Sequence, residues 1–209
     1  SINWVLINGE KKTGISTFFI NEYIDSGAII QQKEIELTNK ITAAQLHNKL
    51  IKDGSKLLIQ TIHAIKENSV IKTPQVSDLS IVNAPKLTKE TLKINWNKTA
   101  MDIHNLVRGL SPLINENTLL KDVSICPSAW FFLEDHNGKK KRIKLNYTEV
   151  IKSNSNNILE IITDNKNYLH IITKKHAIAV LNLQAEGKKP MTIQQFLQGN
   201  KISTKQKIK

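Results

Sequence analysis

From about residue 129 to residue 183 the apolar residues of this chain recur at every second position, and this change of period constrains the fold more than any other feature. A strand points alternate side chains to opposite faces, whereas a helix gathers every third or fourth residue on one face. The segment just before this stretch, at about 99–108, keeps instead to helical steps. Asn137-Gly138 is a hairpin signal joining Ala129–Glu134 to Arg142–Val150. In the second of these strands Ile143, Leu145 and Tyr147 alternate with Arg142, Lys144 and Asn146, which predicts one apolar face and one basic or polar face.

Ile158–Thr163, Tyr168–Thr173 and Ala177–Leu183 read as three more strands, the first two joined through Asp164-Asn165. Short strands in this number after a single helix predict a small closed or partly open β-barrel, OB-like in kind, an architecture that often presents oligonucleotides on an exposed face. That helix spans about 99–108, with Thr99 and Asp102 as its cap and Ala100, Ile103, Leu106 and Val107 on one side; Gly109 is expected in a left-handed C-cap. A last helix, Thr192 to Gln198, starts with the capping box Thr192/Gln195 and stops at Gly199. The basic tail from Ile202 is expected to fray.

The first part predicts a helix over 2–9 stopped by Gly9, strands at Ile15–Ile20 and Ala28–Leu37, and a tight segment between them. A longer helix follows a Thr42/Gln45 capping box, with Leu46, Leu50, Leu57, Leu58, Thr61, Ile62 and Ile65 on one face and Gly54 as the place where it bends or breaks. Pro74, Ser77, Ser80 and Pro85 interrupt every period in 68–92, which reads as an extended linker. Helical spacing is already under way at Ile2, and Ser1 is no initiator methionine, so the chain reads as a fragment.

Charge sharpens the division. Residues 1–92 hold 11 Lys against 9 acids, a balance of +2, and 93–209 hold 19 Lys or Arg against 9 acids, a balance of +10. A basic field of this kind attracts polyanions and releases counterions from phosphates. Lys139-Lys140-Lys141-Arg142 follows the hairpin turn, Lys144 shares the polar face of the strand, Lys188 and Lys189 adjoin Gly187, and Arg108 ends a helix. Cys126 is the single cysteine, which excludes an internal disulfide framework and suits a cytoplasmic setting. The six histidines lack metal-ligand spacing, and no apolar run is long enough to span a membrane.

Several segments, in order, resemble the methionyl-tRNA formyltransferase family. They are Ser1–Glu10, Thr13-Gly14-Ile15-Ser16, Ile24-Asp25-Ser26-Gly27, Ala84–Glu90 with Ile94-Asn95-Trp96, Leu106–Pro112, Pro127-Ser128-Ala129-Trp130, Gly187–Met191 and Phe196–Gly199. The resemblance implies an α/β plus β fold: the last part of a Rossmann-like catalytic sheet over 1–72, a linker over 73–92, and an OB-like tRNA-binding domain over 93–209. It implies formyl transfer from 10-formyltetrahydrofolate to the amine of methionine on initiator tRNA, by a cytoplasmic monomer that uses no metal. Asp25 matches the family's catalytic aspartate, with Ser26 in place of the usual Thr. The Asn–His pair and the Ser-Leu-Leu-Pro folate loop would precede Ser1, so the chain alone is expected to be inactive.

As a set, Arg108, Lys141, Arg142, Lys144, Lys188 and Lys189 are the expected tRNA contacts. Residues 113–126 depart from the pattern, standing where the family joins Ser-Pro almost directly to Pro-x-Ala-Trp. Two other readings are open: a formyltransferase acting on an amino-sugar nucleotide, and a non-enzymatic basic RNA-binding module.

Overall fold

The computed structural model describes residues 2–75, 83–115, 118–122, 124–135, 137–203 and 206–209. Helix α1 (Ile2–Ile7) ends at Gly9, whose φ of +72° carries the chain into strand β1 (Lys12–Phe18). The strand begins three residues earlier than its apolar run, because Lys12 and Thr13 already pair with Glu36 and Ile35 of β2 (Ile29–Glu36). Helix α2 (Ala43–Lys66) then covers this antiparallel ribbon. Its capping box is formed as expected: Thr42 Oγ1 accepts from the Gln45 amide and the Gln45 side chain accepts from the Thr42 amide.

Two expectations about α2 are corrected. The helix runs unbroken through Gly54, because Gly54 faces Ile15 of β1 and the packed ribbon holds its backbone. The buried face is Leu46, Asp53, Leu57 and Thr61, whereas Leu58 and Ile62 are more than half exposed. The apolar stripe is wider than the ribbon beneath it. The expected Rossmann-like sheet is represented, among the described residues, by this two-stranded antiparallel pair alone.

The middle of the expected linker, 76–82, lies outside the described residues. Its start is already structured: Thr73 exchanges both backbone hydrogen bonds with Ile29. Its end forms the single turn α3 (Lys89–Leu92), followed by α4 (Ala100–Leu110), which is capped by Thr99 and Asp102. Gly109 lies inside α4 and its φ is not positive, which corrects the expected left-handed cap. Its role is close approach: a Cβ there would meet Ile7 Cγ1 at 2.8 Å and Asn3 O at 3.1 Å, so α1 could not lie against α4.

Residues 113–126 begin with a small hairpin, β3 (Leu113–Asn115) with β4 (Thr118–Leu119). The segment joins the first core: Cys126 is buried with Leu6, Ile35, Ala44 and Leu46, and Ile114, Leu120 and Ile125 pack around them. The second core is enclosed by β5 (Ala129–Glu134), β6 (Lys140–Ile151), β7 (Ile161–Thr163), β8 (Leu169–Ile172), β9 (Ala177–Ala185), β10 (Met191–Thr192), α5 (Ile193–Gly199) and β11 (Lys207–Ile208). The strand order β11-β5-β6-β9-β8-β7, with β10 beside β9, is antiparallel throughout.

The second part is thus an open, curled sheet, and the described strands do not make the closed form of the expected barrel. The outer strands β11 and β7 are not paired to each other among the described residues. The expected frayed tail is corrected. Ile202 and Ile208 are buried in the second core, and Lys209 and Phe132 exchange backbone hydrogen bonds. Apolar side chains spaced through a basic tail gain more from burial than the tail loses in freedom. A β-bulge between Leu145 and Thr148 also shifts the β6 alternation, so that Asn146 is fully buried and Tyr147 stays partly exposed, the reverse of the expected pattern.

Candidate functional site

The loop between β1 and β2 carries Asp25. It folds on itself through short-range bonds: Asn21 Oδ1 accepts from the Tyr23 amide and from Ser26 Oγ. Gln75 closes it from outside, its amide donating to the carbonyls of Asp25 at 2.9 Å and Gly27 at 2.8 Å. Gly27 is required sterically, since any Cβ would overlap the Phe19 carbonyl. Asp25 itself has φ +53°, a left-handed conformation that costs most residues energy and that aspartate tolerates best after glycine and asparagine. Its side chain is exposed, and among the described residues nothing hydrogen-bonds its carboxylate. The loop thus presents a free carboxylate on a constrained turn.

The two cores are joined by a buried polar seam. Asn3 donates to the carbonyls of Gly109 (2.8 Å) and Ile125 (2.7 Å), and Gln45 donates to Ile114 O (2.8 Å). Thr42 donates to Leu113 O at 2.6 Å. His104 sits at the centre, its Nε2 2.8 Å from the Asn39 carbonyl and its Nδ1 3.1 Å from Thr148 Oγ1. A carbonyl only accepts, so Nε2 carries the hydrogen and Nδ1 accepts from the threonine hydroxyl. Burial holds the imidazole pKa below the usual histidine range, and the Arg108 cation lowers it further.

Arg108 belongs to this seam. Only 2% exposed, it donates from Nε to Asn105 Oδ1 at 2.8 Å and from Nη1 to Thr38 O at 3.3 Å. The expected surface cation is therefore corrected to an interior one, engaged by neutral acceptors and closed off from a phosphate backbone. Helix periodicity cannot distinguish a last-turn arginine that faces water from one that faces a second core.

The other expected cations stay near the surface and fall into separate groups. Arg142 is exposed and Lys144 half-buried on the outer face of β6, where with Gln184, Glu186 and Gly187 they line a shallow cleft of about 130 Å³. Lys188 and Lys189 are exposed on the β9–β10 turn, which Gly187 makes possible with φ +72° and which Gln184 braces by donating to Lys188 O. Lys141 has the opposite parity from Arg142 and turns to the other side of the sheet. There it lines a cleft of about 420 Å³ with Lys139, Lys140, Asp135, Glu186 and Phe196. Arg142, Lys144 and the Lys188–Lys189 turn are thus brought together, and Lys141 stands apart.

Burial of Cys126 pushes its thiol pKa up to about 12, the state of an inert packing group and not of a nucleophile. Among the described residues no cluster of three His, Cys, Asp or Glu side chains could hold a metal ion, and no helix is long and apolar enough to cross a membrane.

Two family models match separate stretches of the chain. The family model described as "Formyl transferase, C-terminal domain" matches residues 86–201, and "Formyl transferase" matches residues 1–62. The chain is 38% identical to the methionyl-tRNA formyltransferase of Phocaeicola vulgatus, over 99% of this chain and 61% of that protein. It is 37% identical to that of Flavobacterium johnsoniae, over the same shares of each chain. It thus spans about three fifths of the length of these relatives. Among solved structures, an N-formyltransferase from Helicobacter canadensis in complex with folinic acid and dTDP-3-aminofucose superimposes with a TM-score of 0.60 at 19% identity, covering 86% of this chain and 59% of the other. HypX from Aquifex aeolicus in complex with tetrahydrofolic acid does so with 0.61 at 13%, covering 94% and 32%. At such identities these two share the fold alone. With one family model covering more than half of the residues and a second covering most of the remainder, the chain belongs to the formyltransferase family.

Proposed function

We propose that this chain works as the carboxy-terminal part of an enzyme that transfers the formyl group of 10-formyltetrahydrofolate to the amine of methionine on initiator tRNA. The observation that carries the reading is the pairing of two facts: 38% identity to a methionyl-tRNA formyltransferase along 99% of the chain, and a charge balance of +10 confined to the part with the curled sheet. A tRNA is a polyanion far larger than the amine it carries, and a cationic face beside the reacting end supplies its grip.

In this reading the methionyl nitrogen attacks the formyl carbon, and negative charge builds on the carbonyl oxygen. The nitrogen then gives up a proton, the bond from the formyl carbon to the donor nitrogen breaks, and tetrahydrofolate leaves carrying a proton. Asp25 orients a histidine and relays the amine proton. The family resemblance implies that this histidine, an oxyanion-binding Asn and a folate loop complete the centre. Arg142, Lys144, Lys188 and Lys189 hold the tRNA backbone, with Lys141 contributing from the neighbouring cleft. The enzyme is a cytoplasmic monomer without a metal.

A second reading, transfer to an amino-sugar nucleotide, draws on the shared fold of the sugar N-formyltransferases. A diphosphate nucleotide needs only a few cations at one point, which makes the spread of basic charge here superfluous. Binding of the 209-residue chain to initiator tRNA and to a deoxythymidine-diphosphate sugar, measured side by side, separates the two. The tRNA should bind in the micromolar range or better at low salt. Binding of the sugar nucleotide alone would refute the tRNA assignment.

A further inference from the structure

The grip on phosphates leaves two aromatic side chains without a purpose. Along β5, Ala129 and Phe131 are buried in the core, and Trp130 and Phe132 alternate with them on the opposite face, both only half-buried. Their rings meet edge to face with centroids 5.2 Å apart. The β5–β6 register places Lys144 beside Trp130 and Arg142 beside Phe132, and Gln184 of β9 is the next neighbour of Lys144. Lys93, held at this edge by the backbone bond from Ile94 to Trp130, has its Nζ 6.0 Å from the indole centroid. Two large rings on a solvent-facing strand contribute little to the core behind it. Interleaved with cations in neighbouring register positions, they make a surface for a flat, π-rich, negatively linked ligand.

We infer that the outer face of β5 and β6, built on Trp130 and Phe132 with Arg142, Lys144 and Lys93 around them, is a stacking platform for an unpaired nucleotide of RNA. The base lies against the indole, and the phosphates on either side meet the cations. Paired bases already stack on each other and cannot offer a free face, so the platform selects single-stranded segments or loops over duplex. Glu186, whose carboxylate accepts the Arg142 amide, and Glu134, 4.0 Å from Lys140, mark the acidic rim of this face. The inference rests on the tRNA-binding reading for its natural ligand, but formyl transfer is not needed for it.

The test uses the 209-residue chain and a short oligoadenylate containing 2-aminopurine, whose fluorescence is quenched on stacking, beside a duplex RNA of the same length. Trp130→Ala should weaken oligoadenylate binding about tenfold and relieve the quenching, whereas Trp130→Tyr should stay within about threefold of wild type. The dependence on salt should be unchanged in Trp130→Ala and reduced in Arg142→Gln with Lys144→Gln, because only the latter removes phosphate contacts. Duplex binding should be indifferent to Trp130→Ala. If the alanine variant fails to fold, Trp130→Tyr and Phe132→Leu carry the comparison through 2-aminopurine quenching. Equal affinity and quenching in folded wild type and Trp130→Ala, or an equal loss for duplex, overturns the platform. A parallel titration with initiator tRNA keeps the two readings apart. Tight tRNA binding indifferent to Trp130 ends this inference alone, and quenched oligoadenylate without tRNA binding ends the tRNA assignment alone.

Discussion

His104 and Arg108 are one turn apart on the same helix and share the seam between the cores, which makes the protonation of one a cost to the other. The folded-state pKa of His104 is depressed, first by burial and then by the neighbouring guanidinium, although Glu149 and the bond to Asn39 pull the other way. The unfolded chain therefore binds a proton that the folded chain refuses. Stability from this group is fully present above the ordinary histidine value of about 6.5 and is lost as pH falls from there toward the depressed folded value. The carboxylates with lowered pKa, Asp53, Glu90, Asp122 and Asp164, lie below the ordinary carboxylate range, whereas His170, also lowered by burial, shares the histidine window and accounts for part of the loss that remains without His104. Urea midpoints compared at neutral and mildly acidic pH should show the loss in wild type and a smaller one in His104→Gln. An equal loss in both would show that the seam does not sense its histidine. Neither residue announces this in the sequence. Each sits at a plausible helix position, and only the Thr38–Asn39 segment of the first part, packed against α4, determines that they face inward.

At the scale of elements, two helix glycines make opposite demands. Gly54 lies within α2 with room for a methyl group, the nearest atom being Ile15 Cδ1 at 3.6 Å. Gly54→Ala should stabilise the protein by about 0.5–1 kcal/mol, because alanine loses less backbone freedom in a helix. Gly109 lies within α4 against α1, where the added carbon would meet Ile7 at 2.8 Å. Gly109→Ala should destabilise by about 1–3 kcal/mol through overpacking. Thermal unfolding of the pair decides the matter, and the same sign for both variants would contradict the packing argument. The caps were readable beforehand: Thr42/Gln45, Thr99/Asp102 and Thr192/Gln195 all form, because a cap is a bargain among four consecutive residues. The two glycines were not, since identical residues in helical sequence differ only in what the neighbouring element brings near.

For the whole molecule the distribution of cations matters more than their number. Arg142 and Lys144 share the outer face of β6 with the Lys188–Lys189 turn nearby, so they count together in any contact with a polyanion. Each phosphate contact contributes about 0.7–0.9 to the slope of log affinity against log salt. Arg142→Glu with Lys144→Glu should therefore flatten that slope for initiator tRNA by about 1.4–1.8. Reversal of Arg108 would instead threaten the fold, because its partners are Asn105 and the Thr38 carbonyl. An unchanged slope in the double variant would remove β6 from the contact.

What the amino-acid order alone determined is what neighbours along the chain decide. That covers the helix starts, the hairpin at Asn137-Gly138, the five principal strands of the second part and the uneven charge, all set by interactions a few residues long. The tertiary structure alone decided which of the two expected forms, closed or partly open, the curled sheet takes, that the basic tail returns to pair with β5, and that a bulge buries Asn146. It likewise sent Arg108 into the seam and left the Asp25 side chain exposed on a constrained turn. Each of these depends on residues brought together from distant segments, and the energy gained there by burial and hydrogen bonding exceeds any local preference.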